Sequence, residues 1–172
     1  MTIKKKINSN AGFSLIEVLF STALFTIGIL GVVSLINQSM ADSMNRRNET
    51  IAGQLAQEGL ELVRNIRDNN WLSGAASAFV GIQSGRIDYK HADNVENSTD
   101  YNLQLNGNGL YERGSEELFK RRIIVAADGS DKKITSEVTW GGDMPDSDEN
   151  HCNPVTKCFY TEVTLSGTWG AH

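Results

Sequence analysis

A long apolar segment stands near the start of the chain. Residues 13–36 read FSLIEVLFSTALFTIGILGVVSLI and contain a single charged residue, Glu17. As an α-helix with a rise of about 1.5 Å per residue, this segment is about 36 Å long, and the hydrocarbon core of a bilayer is about 30 Å thick. Three lysines, Lys4–Lys6, precede the segment, and the next basic residue is Arg46. The positive-inside rule therefore predicts a membrane-spanning helix with a cytoplasmic N-terminus and export of the chain that follows.

Apolar residues continue at helical spacing beyond residue 37, although the composition becomes polar. The periodic positions are Met40, Met44, Ile51, Leu55, Leu62 and Ile66. The apolar stripe that they form is made wider by Ala52, Ala56 and Val63. Their spacings of four and seven predict an amphipathic helix. Since no proline lies between Phe13 and Asn70, we predict one continuous helix over that range. Gly53 and Gly59 weaken it by about 1 kcal/mol each relative to Ala.

The remainder of the chain reads as short strands separated by turns. Shorter strands are predicted at 79–82, 86–89 and 101–105, and stronger strands at 118–126, 134–140 and 159–165. Turn residues stand between them, at 106–109 and 128–130, and β-branched residues are enriched within them. The pattern predicts an α+β fold, in which the amphipathic half of the helix packs on an antiparallel meander sheet. We expect the ends of this core to be sealed by Trp71, Trp140 and Trp169.

Three interpretations of the apolar segment are open at this point. A secretory signal peptide has a basic start, and Ser39-Met40-Ala41 resembles a cleavage site, but its apolar core runs over only about 7–15 residues. A plain signal anchor has the right length but leaves Glu17 unexplained. Because a charged group at membrane depth costs about 2.5–3.5 kcal/mol on insertion scales, Glu17 is expected to have a function.

The third interpretation comes from the residues around Gly12. Gly12-Phe13-Ser14-Leu15-Ile16-Glu17 resembles the processing site of type IV prepilins and the related pseudopilins. In that family, a prepilin peptidase cuts after the glycine and the new N-terminal residue is methylated. The resemblance implies cleavage between Gly12 and Phe13 and methylation of Phe13. The absence of a side chain at Gly12 suits close approach of the scissile backbone to a protease.

The resemblance also implies a division of the chain into three parts. Residues 1–12 are the prepilin leader peptide. Residues 13–36 form the transmembrane helix, which later becomes part of a filament core. Residues 37–172 form an exported pilin-like domain, with the amphipathic helix running to about residue 70 and the sheet following it.

The first part of the helix is most similar to minor pilins of the PilV type and pseudopilins of the GspI type. These relatives share the Glu17-Val18-Leu19 opening and the Gly-Ile-Leu-Gly of residues 28–31. The resemblance implies a minor pilin of a type IV pilus that acts in pilus assembly or modification, or in adhesion. The alternative within the family is a type II secretion pseudopilin.

Partners and location follow from the same resemblance. The implied partners are the prepilin peptidase, other pilin subunits and the pilus assembly platform. The precursor is expected as a single-pass protein of the cytoplasmic membrane, and the mature chain in a cell-surface pilus or a periplasm-spanning filament. Glu17 is implied to pair with the α-amino group of Phe13, in its own helix or in a neighbouring subunit, and so to set the register between subunits.

Cys152 and Cys158 are the only cysteines of the chain. In an exported domain, an even pair this close is most simply a disulfide, and pilins typically carry one near the C-terminus. A ring of this size stabilises the fold by about 2 kcal/mol on the loop-entropy model. The rival interpretation is a metal site formed with His151, but it lacks a fourth ligand and the usual pair of close spacings.

The charge balance argues against a nucleic-acid-binding surface. The chain has 21 acidic and 16 basic residues, for a net charge of −5, whereas non-specific nucleic-acid binding depends on basic surface. The longest basic run of the exported part, Lys120-Arg121-Arg122, is interpreted as a solvated edge rather than a phosphate groove. A DNA-uptake pilin that binds DNA through this run remains an alternative.

The remaining candidate chemistry is sparse. The acidic residues of the segment 143–149 lack the alternate spacing of a calcium loop, so we expect solvated side chains there. The sequence contains no nucleophile elbow, zinc-protease motif or P-loop, and no other spacing indicates catalysis. We therefore expect a protein that is not an enzyme and that uses no cofactor or metal.

Overall fold

The computed structural model describes residues 14–115, 118–144, 152 and 157–168. Its elements, in chain order, are the helix α1 (Leu15–Leu72), a short 3₁₀ helix (Tyr89–His91), and the strands β1 (Asn102–Leu105), β2 (Tyr111–Arg113), β3 (Phe119–Asp128), β4 (Asp131–Trp140) and β5 (Cys158–Leu165). The chain divides into two compact units, Met1–Met44 and Asn45–His172. The predicted α+β class, one long N-terminal helix with an antiparallel sheet, is confirmed.

Helix α1 ends two residues later than the sequence pattern predicts. The backbone N–H groups of Ser73 and Ala75 donate to the carbonyls of Asn69 and Asn70 at 2.9 Å. Gly74 adopts φ +68°, a left-handed conformation that glycine reaches at little cost. Because these bonds satisfy carbonyls of the last turn, the helix closes at Leu72.

The five strands form one antiparallel sheet in the order β2-β1-β3-β4-β5. Strands β3, β4 and β5 follow one another as predicted for a meander. The β1–β2 hairpin departs from it, because β1 pairs with β3 and leaves β2 at the edge. Strand β2 itself was not predicted from the sequence.

Two predicted strands are wrong. Residues 79–82 form turns, and 86–89 contribute only an isolated bridge between Arg86 and Glu96 before the 3₁₀ helix begins. Asp88 caps that helix, since its carboxylate accepts the backbone N–H groups of Lys90 and His91. Ile82 and Ile87 stand in these loops and bury their side chains in the core. The apolar residues of the two segments therefore reflect core packing rather than strand pairing.

The sheet packs on one face of α1 within the second unit. The buried helix positions are Ala52, Leu55, Ala56, Gly59, Leu60, Val63 and Ile66. They follow the helical repeat, but the predicted stripe is displaced: Ile51 and Leu62 are half-buried at its margin. Met40 and Met44 belong to the first unit and are exposed.

Tryptophan closes one end of this core. Trp140, the last residue of β4, is buried beside Leu55 and Phe119. Its indole N–H donates to the side-chain oxygen of Asn45 at 3.1 Å. Trp71 is partly exposed and lies under the guanidinium of Arg67, 4.5 Å from the ring centroid. The third predicted tryptophan, at position 169, lies outside the described residues.

Candidate functional site

The predicted processing site lies just before the described part of the helix. Gly12 and Phe13 are outside the described residues, and the description begins with Ser14. Helix α1 starts at Leu15, and the backbone N–H of Glu17 donates to the carbonyl of Ser14 at 3.0 Å. Glu17 is therefore an exposed acidic residue in the first turn of the helix.

This placement puts Glu17 where a carboxylate has a favourable local environment. Ser14-Leu15-Ile16-Glu17 has the order of a capping box, in which a serine precedes the helix and a glutamate stands three residues later. A carboxylate in the first turn also interacts favourably with the positive end of the helix dipole. This residue order is visible in the sequence, but a helix predicted to begin at Phe13 leaves Ser14 no capping position.

The first half of α1 exposes its apolar side chains on all sides. Its most apolar 18-residue window has a mean hydropathy of 2.3, and none of that window is buried. By length and composition, this helix is long and apolar enough to cross a membrane. The hydroxyls of Thr22 and Thr26 donate to the carbonyls of Leu19 and Thr22. The polar hydrogens of these two threonines are thereby satisfied within the helix, as an apolar environment requires.

A shallow groove crosses this apolar surface beside Gly28. It is lined by Ser21, Leu24, Phe25, Gly28, Ile29, Val32 and Val33. A Cβ atom added at Gly28 or Gly31 would meet nothing within 4 Å. Small residues of this kind let a second apolar helix approach closely, which is compatible with the predicted packing role of residues 13–36.

The basic run on β3 is not a solvated edge, and that interpretation is wrong. Arg121 is fully buried between α1 and the sheet. Its guanidinium donates to the carbonyls of Leu55, at 3.0 Å, and Ile87, at 2.6 Å. Burial lowers the pKa of Arg121, opposed by the carboxylate of Glu58 at 3.5 Å. Arg121 therefore links β3 to α1 and to the loop before the 3₁₀ helix.

Lys120 and Arg122, the other two residues of the run, also bind carboxylates of the domain. Arg122 lies opposite Glu137 on β4, donates to its carboxylate at 2.6 Å, and is buried with it. Lys120 donates to Asp143 at 2.8 Å, and this bond lowers the pKa of Asp143. The DNA-binding alternative therefore loses the basic surface on which it rests.

The two cysteines lie against the buried pair of Arg122 and Glu137. The structure joins Cys152 to Cys158 as a disulfide, with their Cα atoms 5.3 Å apart. The backbone N–H of Cys152 donates to the Glu137 carboxylate at 3.3 Å. Both sulfurs lie 3.8 Å from the same carboxylate oxygen.

This arrangement does not favour the rival metal site. Glu137, Cys152 and Cys158 are close enough to offer three ligand atoms. However, one carboxylate oxygen of Glu137 already accepts from Arg122, and paired sulfurs are not thiolate ligands. The proposed further ligand, His151, lies outside the described residues, as do residues 145–149 of the acidic segment.

A polar surface cluster holds the β1–β2 hairpin to the 3₁₀ helix. The hydroxyl of Tyr89 donates to Glu112 at 3.1 Å, and Asn106 donates to Tyr89 at 2.8 Å. Lys90 forms an ion pair with Glu112 and lowers the pKa of that carboxyl group. Since the partners are far apart in the chain, residue spacing gave no signal of this cluster.

Comparison with known families gives one match. The family described as the prokaryotic N-terminal methylation motif matches residues 7–33. No curated protein and no solved structure matches the chain. The matched range contains Gly12, Phe13 and Glu17 together with the start of α1. The chain thus carries the N-terminal motif of prepilins, which supports a place for it in the type IV prepilin-like family.

Proposed function

We propose that this chain is a minor pilin subunit of a type IV pilus, processed by prepilin peptidase and assembled through its N-terminal helix. The observation that carries the proposal is the methylation motif of residues 7–33, which includes the start of a helix whose apolar first half is wholly exposed. Such a surface needs lipid or other apolar helices around it. Lipid surrounds this apolar surface in the membrane precursor, and helices of neighbouring subunits surround it in the filament.

The proposed division of the chain follows the processing chemistry. Residues 1–12 are removed as a leader, 13–36 anchor the precursor and then pack in the filament, and 37–172 form the exported domain. The exported domain presents a folded surface for pilus modification or adhesion. Its partners are the prepilin peptidase, other pilin subunits and the assembly platform of the cytoplasmic membrane.

The first experiment is N-terminal sequencing and intact mass measurement of the chain recovered from sheared filaments. The expected mature protein begins at Phe13 and carries one added methyl group. Protein that begins at Asp42, after Ser39-Met40-Ala41, would establish ordinary signal-peptidase cleavage and overturn the proposal. Replacing Gly12 by Leu should leave the full-length precursor in the membrane, because the side chain blocks close approach of the protease.

The second experiment separates two roles of Glu17. In a filament, its charge pairs with the α-amino group of Phe13 from a neighbouring subunit, because an unpaired ion in a dry core is prohibitively costly. Glu17→Val should be inserted and cleaved normally but enter filaments poorly. Glu17→Gln keeps a capping-box side chain without the charge. If Gln restores incorporation, capping rather than ion pairing explains the need for Glu17.

The same filaments decide between the two family alternatives. A minor pilin is recovered with sheared surface pili, whereas a secretion pseudopilin is recovered with secretion pseudopili and is needed for protein export. Deletion of the chain should therefore change pilus number or surface attachment and leave secretion intact. Loss of secretion with normal pili would favour the pseudopilin.

A further inference from the structure

The loop between β1 and β2 contains both Asn-Gly pairs of the chain, Asn106-Gly107 and Asn108-Gly109. The backbone N–H of Gly109 donates to the carbonyl of Asn106 at 3.0 Å, and the N–H of Asn106 donates to the carbonyl of Leu110 at 2.8 Å. Gly109 adopts φ +80°, as in a three-residue hairpin loop that ends in a left-handed glycine. The two asparagines therefore share one short turn but stand at different positions in it.

Asparagine followed by glycine undergoes a reaction that needs no enzyme. The backbone nitrogen of the glycine loses its proton to water and bonds to Cγ of the asparagine, while the side-chain nitrogen takes a proton from water and leaves as ammonia. Water then breaks the new Cγ–N bond of the succinimide ring, which gives aspartate, or the original peptide C–N bond, which gives isoaspartate. Glycine favours the ring closure because it has no side chain to hinder the approach.

The side chain of Asn106 is held by hydrogen bonds on both of its polar atoms. Its Oδ1 accepts the backbone N–H groups of Asn108 at 2.9 Å and Leu110 at 3.0 Å. Its Nδ2 donates to the hydroxyl of Tyr89 at 2.8 Å and to the carboxylate of Glu112 at 3.3 Å. These bonds use both lone pairs of the oxygen and both hydrogens of the nitrogen. The side chain therefore cannot turn toward the following backbone nitrogen without breaking them.

Asn108 has no such restraint on its side chain. The residue is exposed, and its side-chain amide makes no hydrogen bond to the residues that the structure describes. The attacking nitrogens differ in the opposite sense, because the N–H of Gly109 is bonded to Asn106, whereas that of Gly107 has no acceptor in the described part of the chain. One bond at the tip of an exposed turn opens more readily than the several bonds that close a polar cluster. The side-chain restraint therefore outweighs the other difference.

We propose that Asn108 is a site of spontaneous deamidation and that its hydrogen bonds protect Asn106 from the same reaction. Water is the only co-reactant, so the modification does not depend on the proposed pilin function. Aspartate at position 108 adds a negative charge to the exposed end of the β1–β2 hairpin. Isoaspartate also lengthens the main chain within the turn that the bond from Gly109 to Asn106 closes, and so loosens that turn. The modified form accumulates with the age of the protein, because the ammonia is lost.

Peptide mapping by mass spectrometry on full-length chain in detergent tests the proposal. The protein is kept for days in mildly alkaline buffer, and fragmentation of the peptide that carries both asparagines locates the product. Asn108 should convert at least about tenfold faster than Asn106, whereas chain unfolded in guanidinium chloride should convert both at similar rates. Equal rates in the folded chain, or faster conversion of Asn106, would overturn the proposal. So would an Asn108 that stays intact in the folded chain while it reacts in the unfolded one.

Two variants test the source of the difference between the asparagines. Tyr89→Phe removes the hydroxyl that accepts from Nδ2 of Asn106 and should speed conversion of Asn106 about fivefold, with Asn108 at its wild-type rate. Asn108→Gln is the matched control, because a glutamine must close a larger ring, and it should abolish the product at position 108 without changing the rate at Asn106. If Tyr89→Phe leaves the rate at Asn106 unchanged, the hydrogen bonds do not protect it and the proposal is refuted.

Discussion

Gly59 is a position where the helix packs closely on the sheet, and replacing it by alanine tests how the core is packed. A Cβ atom at this position would lie 2.5 Å from Oγ of Ser136, 3.1 Å from Cδ of Arg121 and 3.2 Å from Cδ1 of Ile123. The first distance is shorter than real Cβ contacts allow. The neighbours belong to the two central strands, β3 and β4, so relief of the contact requires part of the core to shift.

Two opposing terms set the magnitude. Replacing an interior helix glycine by alanine gains about 1 kcal/mol of helix stability. Overpacking of a well-filled core costs about 1–3 kcal/mol. The packing term wins, so Gly59→Ala should lower the free energy of unfolding by about 1 kcal/mol and the melting temperature by about 3–4 °C.

Gly53 provides the matched control on the same helix. A Cβ atom there would lie 3.6 Å from the ring of Phe159, an ordinary van der Waals distance. The gain in helix stability is then almost the only effect of the substitution. Gly53→Ala should therefore raise the free energy of unfolding by about 1 kcal/mol.

Ser136 identifies the source of the strain. Its Oγ is buried and has no hydrogen-bond partner among the described residues, so Ser136→Ala alone should be neutral or slightly stabilising. In the double variant, the shortest contact is gone. Gly59→Ala combined with Ser136→Ala should recover most of the lost stability, with a coupling of about 1 kcal/mol between the two sites.

Urea unfolding of detergent-solubilised full-length chain, followed by tryptophan fluorescence, measures all four variants. Trp140 is buried in the core and reports on the domain. If Gly59→Ala proves as stable as Gly53→Ala, the close approach at Gly59 does not exist. If Ser136→Ala leaves the loss unchanged, the strain lies elsewhere.

Two further predictions concern the disulfide and acid stability. Replacing Cys152 and Cys158 together by serine should lower the free energy of unfolding by about 2 kcal/mol. The wild-type chain in reductant should show the same loss. Recovery of both cysteines as free thiols from oxidised exported protein would contradict the pairing. The bond from Lys90 holds the pKa of Glu112 below its ordinary 4.5. Its stabilising contribution is therefore complete above that pH and disappears as the pH falls through the lower, folded-state pKa. Glu112→Gln should show a shallower loss of stability on acidification, and identical acid unfolding curves would show that this pair does not contribute.

The sequence predicted the long helix because three independent signals agreed. The apolar segment, the absence of proline from Phe13 to Asn70 and the recurring apolar positions all indicated the same element. The strands predicted at 79–82 and 86–89 are wrong because short apolar runs also occur in loops that bury single side chains, such as Ile82 and Ile87. Periodicity alone does not separate these two cases.

The predicted processing residues and the packed charges differ in how far the sequence reveals them. Gly12, Phe13 and Glu17 lie within residues 12–17, so a local motif contains all three. Arg121 gave no such signal, because its partners are the carbonyls of Leu55 and Ile87, which are distant in the chain. Backbone acceptors carry no side-chain signature, and only the packing of α1 on β3 brings them within reach.

The pairing of Arg122 with Glu137 was accessible from the sequence through the hairpin register. Gly129 adopts φ +62°, as glycine does in a two-residue hairpin turn, and Asp128 pairs with Asp131. Counting outward from that turn places Arg122 directly opposite Glu137, as the structure shows. Successive residues of a strand point to opposite faces of the sheet, so Arg121 and Arg122 lie on different faces, and each of these buried cations needs a partner of its own. The basic run of β3 is therefore not solvated, because Arg121 is buried against α1 and Arg122 is buried with Glu137 on the opposite face of the sheet.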